Sequence, residues 1–191
     1  MRKRMIVGVS GASGMPIALE VLRRLRKAGA ETHLIYTRGA LMTLSQETKV
    51  TEQEFCALAD VVYDNENIGA APASGTFPAD GMIVVPCSMK TAAGIHCGYS
   101  ENLLLRAADV TLKERRKLVL VARECPFSTI HLRNLYELSQ MGAVILPPML
   151  TYYQNPVSVE ELTGQIAGKI LDQFEISCDG YFRWSGMETL K

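Results

Sequence analysis

Two apolar rhythms alternate along the chain: short runs rich in β-branched residues, and longer stretches with helical spacing. Residues 5–9 read as a first strand and 10–14 as the loop that follows. Pro16 suits the first turn of a helix. Ile17, Val21, Leu22 and Leu25 form that helix's apolar face, and Gly29 closes it. Residues 32–36 predict a second strand and 39–46 a short helix. Thr51 and Glu54 have capping-box spacing ahead of a short helix at 55–59. Residues 64–80, rich in Gly, Ala, Pro, Asn and Ser, read as a loop. Residues 82–85 form an apolar strand ended by Pro86, and Ser88 caps the next helix. A long helix is expected from about 102 to 116. Strands at 118–121 and 144–146 flank a helix near 129–140. Ser158 and Glu161 make a second capping box, opening a last helix that reaches about Phe174.

Near-continuous apolar strands alternating with helices predict an α/β protein with a parallel sheet covered on both faces. No repeat, low-complexity stretch or linker interrupts the pattern, so residues 1–191 are expected to form one domain. Sheets of this kind bind ligands outside the carboxyl ends of their strands. The segments placed there are 10–14, 37–38, 86–91, 122–126 and 147–153, and they are expected to converge on one site.

Charge and composition narrow the function. The 20 basic and 20 acidic residues cancel, which speaks against nucleic acid as a partner. The basic run from Lys113 to Lys117 reads as a solvated helix end. Five cysteines form no CxxC pair, and the three histidines are scattered, so neither a disulfide framework nor a metal site is expected. The apolar run at 5–9 is too short for a secretory leader, and none is long enough to span a membrane. A soluble protein of the reducing cytoplasm fits these features.

The candidate chemistry lies in the strand-end segments. The run Gly8-Val9-Ser10-Gly11-Ala12-Ser13-Gly14 passes from strand to helix, and its glycines, amides and Ser13 hydroxyl suit an anion; a plain tight turn is the alternative. No Gly-Lys-Ser/Thr follows, so it is not a Walker loop. Thr37 and Arg38 stand where a ribose-binding acid would end the second strand, so a mononucleotide such as FMN fits better than NAD. Ser88, Lys90 and Thr91 open a helix after a buried strand and can bind a cofactor or merely cap that helix. Cys87 has no base beside it in sequence and reads as a buried structural thiol. Arg123 can fork onto phosphate and Glu124 can move a proton, or the two can form an exposed ion pair. Pro147-Pro148 fixes an extended lead into Tyr152 and Tyr153.

Several ordered motifs resemble one family. They are Gly11-Ala12-Ser13-Gly14, Leu44-Ser45-Gln46-Glu47-Thr48, Pro86-Cys87-Ser88-Met89-Lys90-Thr91, Gly94-Ile95, Arg106-Ala107-Ala108-Asp109-Val110, Leu112-Lys113-Glu114, Arg123-Glu124 and Asp172-Gln173-Phe174. Together, from about Met5 to Trp184, the chain resembles the UbiX-type flavin prenyltransferases, which include the small subunits associated with hydroxyarylic acid decarboxylases. The resemblance implies a flavodoxin-like Rossmann three-layer fold. It implies a homo-oligomer, in the family a dodecamer with active sites at subunit interfaces and the tail after about 175 at such an interface. It implies a metal-independent transferase joining dimethylallyl phosphate to reduced FMN at N5 and C6. The product, prenylated FMN, serves a UbiD-type decarboxylase.

By position, the resemblance gives FMN contacts to Gly11, Ala12, Ser13, Thr37, Ser88, Met89, Lys90, Thr91, Arg106 and Arg123. Glu47, Glu124 and Ser13 would face the reaction, with Glu124 transferring a proton. Lys113, Tyr153 and Lys169 would hold the prenyl phosphate, and Trp184 would supply an aromatic wall. The chain departs from the family where Thr37-Arg38 replaces Ser-Lys and where Lys169 replaces arginine. His96-Cys97-Gly98 and the tail beyond Trp184 match no family pattern. Two other readings remain: a flavin-dependent cysteine decarboxylase, against which the 86–91 segment speaks, and a flavin-binding subunit without chemistry of its own.

Overall fold

A computed structural model describes residues 2–187. Met1 and residues 188–191 lie outside the described part, so the domain expected over 1–191 is followed within those limits. The strands are β1 (Arg4–Val9), β2 (Glu31–Tyr36), β3 (Val61–Tyr63), β4 (Gly81–Cys87), β5 (Lys117–Ala122) and β6 (Val144–Ile145). The helices are α1 (Met15–Lys27), α2 (Arg38–Glu47), α3 (Glu52–Cys56), α4 (Met89–His96), α5 (Leu103–Lys113), α6 (Thr129–Gln140) and α7 (Val159–Asp172). The strands form a single parallel sheet in the order β3-β2-β1-β4-β5-β6. The order reverses between β1 and β4, where a doubly wound sheet opens its binding crevice.

Period-two alternation sends side chains to both faces, so both must be covered. Met5, Val7, Val9, Ile83, Val85, Val119 and Val121 pack under α1, α2 and α7. Ile6, Met82, Val84, Leu118 and Leu120 pack under α4, α5 and α6. This is the expected three-layer α/β architecture.

Local differences from the sequence reading have physical reasons. β3 was not foreseen: it is an edge strand of three residues with Val61 and Val62 exposed, too short to set a rhythm. Pro86 lies inside β4 rather than ending it, at a break in the β4–β5 register between Val84 and Cys87. The Thr51–Glu54 capping box forms, but α3 starts within it at Glu52. Asn102 is the cap of α5, not its first turn. At α7 the Ser158 hydroxyl accepts the Glu161 N–H, while the Glu161 carboxylate reaches one residue further back, to the Val157 N–H at 2.9 Å, so the box is half formed. The 113–117 run is more than a solvated end, because Arg116 donates to the carbonyls of Gly75 and Phe77, both at 2.7 Å, and fastens the loop before β4.

Candidate functional site

The loops after β1, β2, β4 and β5 meet at the β1/β4 switch. Ser10, buried, donates through Oγ to the Pro86 carbonyl at 2.9 Å and accepts the Ser88 N–H at 2.8 Å, stitching the first loop to the entry of α4. Gly11 lies against Gly39 so closely that a Cβ on Gly11 would meet the Gly39 backbone at 2.9 Å. The amide of Arg123 donates to the Cys87 carbonyl at 3.1 Å. Between the loops after β1, β2 and β4 lies a cleft of about 900 Å³, within the usual size of ligand sites, and the 122–126 segment expected there does not line it.

The first turns of α2 and α4 line this cleft through Thr37, Arg38, Gly39, Ser88, Lys90 and Thr91. First-turn amides have no partner within their own helix, and the helix dipole adds positive potential there. Thr37 and Ser88 cap their helices through the N–H of Ala40 and Thr91, each at 3.2 Å. Ser88 therefore caps α4 and lines the cleft as well. Its Oγ also donates to the Thr91 hydroxyl at 3.0 Å.

The N-terminus of α1 is different. Its cap residue, Gly14, has no side chain to offer. Glu47, the last residue of α2, supplies the missing acceptor, and its Oε2 accepts the N–H of Gly14 at 2.9 Å and of Met15 at 2.8 Å. Burial pushes the Glu47 carboxyl up, but the Ser13 hydroxyl, these two amides and the Arg123 guanidinium outweigh it, so its pKa lies below the ordinary value. The 10–14 loop and the helix start after it were expected to offer their amides to a phosphate; the protein's own carboxylate takes those of Gly14 and Met15. Ser13, Glu47 and Arg123 thus form one cluster beside the cleft. Glu124 is half-buried at the end of β5, with Oε1 accepting the Cys125 N–H at 3.1 Å. Cys87 is fully buried and its thiol is pushed up to about 12 by that burial, in keeping with a structural role.

The remaining candidates lie elsewhere. Arg106 and Lys113 sit two turns apart on α5. Arg106 donates to Asp109 at 2.7 Å and to the Ala73 carbonyl at 3.2 Å, and Lys113 pairs with Glu114. Tyr153, Lys169 and Trp184 line a second cleft of about 470 Å³ between the 147–153 loop, α7 and the tail. Tyr153 and Trp184 meet edge to face at 5.3 Å, and Tyr181 packs on Gly168 of α7. So the 147–153 segment, expected at the common site, lines its own cleft with α7 instead. The cleft at the switch also takes in Gly39, Asn65, Glu66 and Tyr99, none of which belongs to a motif in the sequence. Asn65 accepts the Leu104 N–H at 3.1 Å through its side chain and the Leu103 N–H at 2.7 Å through its carbonyl, fixing the start of α5. Only Gly39 gave a local signal, a glycine in a helical first turn where propensity disfavours it. Among the described residues no cluster of His, Cys, Asp and Glu could hold a metal ion, and no helix is long and apolar enough to cross a membrane.

A family model described as Flavoprotein matches residues 1–171. A probable UbiX-like flavin prenyltransferase of Sedimentibacter hydroxybenzoicus is 50% identical over 184 residues, 96% of this chain and 97% of that protein. The crystal structure of AnUbiX (PadA1), in complex with FMN and dimethylallyl pyrophosphate, matches with a TM-score of 0.96 at 47% identity, over 97% of this chain and 99% of that one. A dodecameric FMN-dependent UbiX-like decarboxylase from Escherichia coli O157:H7 matches with a TM-score of 0.93 at 45% identity, over 96% and 100% of the two chains.

Proposed function

The chain belongs to the UbiX-like flavin prenyltransferases of the flavoprotein family, and on that premise we propose that it joins a dimethylallyl phosphate ester to reduced FMN. Bonds form at flavin N5 and C6 as the carbon–oxygen bond to phosphate breaks and the prenyl double bond is saturated; of the N5 and C6 protons released, one ends on the prenyl chain and one on the phosphate, and the product is prenylated FMN. The observation that carries this reading is the cleft at the β1/β4 switch. Two helix N-termini, the Thr37, Ser88 and Thr91 hydroxyls, and the Arg38 and Lys90 cations line it together. That donor set fits a flavin mononucleotide phosphate, and the paired glycines at 11 and 39 keep the loop backbone free of side chains there. We therefore place the phosphate at α2 and α4, not at α1.

The reduced flavin supplies the nucleophilic atoms. Gly11, Ala12 and Met89 present backbone to it. Glu47, Ser13 and Arg123 orient it, and Glu124 takes or returns the proton at N5. Arg106, Lys113, Tyr153 and Lys169 hold the prenyl phosphate, and their positive charge stabilises it as it departs. Trp184 offers a π face to the developing allylic cation. These groups occupy three places on one chain, so the reading needs a homo-oligomer in which neighbours bring them together, with the tail after about 175 at the contact. The dodecamer of the E. coli relative is the assembly we assign. The product passes to a UbiD-type decarboxylase. The five free cysteines suit the reducing cytoplasm. We assign no metal.

Anaerobic incubation with FMN, a reductant and dimethylallyl phosphate or pyrophosphate should yield a flavin heavier by one five-carbon unit. Unmodified flavin recovered from protein with FMN bound would sink the reading. The E. coli relative, an FMN-dependent UbiX-like decarboxylase, favours a second reading, decarboxylation by the chain itself. Carbon dioxide release from an aromatic acid without any heavier flavin would support that instead. Glu124→Gln should lower turnover about 100-fold while FMN affinity stays within about threefold. Equal losses in both would refute the proton-transfer role.

A further inference from the structure

His96 and Cys97, which match no family motif, belong to a cluster of thiol, imidazole and carboxylate that the flavin chemistry does not use. His96 ends α4 and Cys97 is the residue that caps it. The His96 Nε2 is hydrogen-bonded to Oε2 of Glu137, which arrives from α6. The other ring nitrogen, Nδ1, lies 3.7 Å from the Cys97 sulfur. A carboxylate only accepts, so the ring proton of the neutral imidazole sits on Nε2 and Nδ1 turns a lone pair toward the thiol. Nucleophile, base and orienting group are thus aligned. Cys97 is exposed and lines the large cleft with Gly98 and Tyr99. The other thiols differ. Cys87 is buried, Cys56 donates to the Tyr36 hydroxyl and Cys178 accepts from Arg24. Cys125 is exposed but has no imidazole partner among the described residues.

We propose that Cys97 is a thiol-modification site whose substrate is a low-molecular-weight disulfide, with His96 as base and Glu137 as the positioning residue. His96 Nδ1 takes the thiol proton, and the Cys97 sulfur attacks one sulfur of the disulfide. The old S–S bond breaks, a new one forms to Cys97, and the departing thiolate picks up the proton. Cys97–SH and RSSR thus become Cys97–SSR and RSH, the disulfide being the oxidant. The imidazolium that forms is paired with Glu137 and sits at a helix C-terminus, which favours positive charge. The same helix end opposes a free thiolate at Cys97, so the proton passes to His96 as the sulfur attacks. An adduct on the cleft wall would narrow the entry for flavin, and a thiol would remove it. This consequence rests on the flavin site proposed above.

The test uses the native protein with oxidised glutathione, followed by intact mass and peptide mapping. Cys97 should form the mixed disulfide about tenfold faster than Cys125, and the difference should vanish in denaturant. Glu137→Gln should bring the Cys97 rate and its pH profile to those of Cys125, while Cys125 keeps its own. Equal rates at the two cysteines of the native wild type would overturn the proposal, as would an unchanged Cys97 rate and profile in Glu137→Gln. FMN affinity of the unmodified protein, measured first, tests the flavin site separately. It should fall about tenfold in the adduct and return with dithiothreitol; an adduct with unchanged affinity would overturn the gating role.

Discussion

The helix starts around the switch point differ in what satisfies them. At α1 the amides of Gly14 and Met15 are held by the Glu47 carboxylate, an anion the protein carries itself. At α2 and α4 the caps are hydroxyls, and the remaining first-turn surface faces a cleft with Arg38 and Lys90 at its wall. The glycine-rich loop that looks most like a phosphate site is therefore internally neutralised. Plainer sequence, Thr37-Arg38-Gly39 and Ser88-Met89-Lys90-Thr91, borders the open cleft where we propose the phosphate binds. A helix N-terminus is a binding site only if nothing in the fold has filled it first.

The largest expected effect comes from closing the contact that joins the two regions. A Gly11→Val side chain would press on the Gly39 backbone, where a Cβ has only 2.9 Å. We expect a loss of about 1–3 kcal/mol in stability and roughly 100-fold in FMN affinity. Thermal melts and flavin fluorescence titration read the two, and wild-type values in both would break the comparison. Next, Lys90→Ala should weaken FMN about tenfold, by an amount that shrinks as salt is added. An unchanged affinity would return the phosphate to α1. The smallest effect belongs to Glu47→Gln, which should keep FMN affinity within about threefold and cost about 1 kcal/mol in denaturant unfolding at neutral pH. Because the folded pKa of Glu47 is depressed, its stabilisation is complete above its unfolded value of 4.5 and disappears as pH falls through the folded value. The wild-type advantage should therefore close in acid, and a gap that persists there would mean that charge is not what caps α1.

Much of the architecture was legible because burial on both faces leaves a plain mark. The runs at 5–9, 82–85 and 118–121 are almost wholly apolar, and each is the centre of a strand. The Thr51–Glu54 box was legible because both partners lie within one turn. The short strand Val61–Tyr63 was not, since its pairing with His33, Leu34 and Ile35 is a long-range fact. Within the site, the chain's own sequence placed Ser88, Thr91 and Thr37 at strand ends, and the fold put them on one cleft. It also placed Glu47 among the candidates. That the carboxylate would reach across to cap α1 depends on α2 ending beside the first loop, 33 residues away in sequence from Gly14.

What the sequence determined by itself was therefore the sequence-local part: alternation, caps, the strand-end position of the polar residues, and motif order. The tertiary structure decided which of those polar groups are already spent on one another. It gave the amides of Gly14 and Met15 to Glu47, joined Gly11 to Gly39, turned His96 between Glu137 and Cys97, and set Tyr153, Lys169 and Trp184 in a cleft apart from the one at the switch. The physical reason is that hydrogen-bond partners and charge pairs are chosen by distance in space, while hydrophobic periodicity is written along the chain.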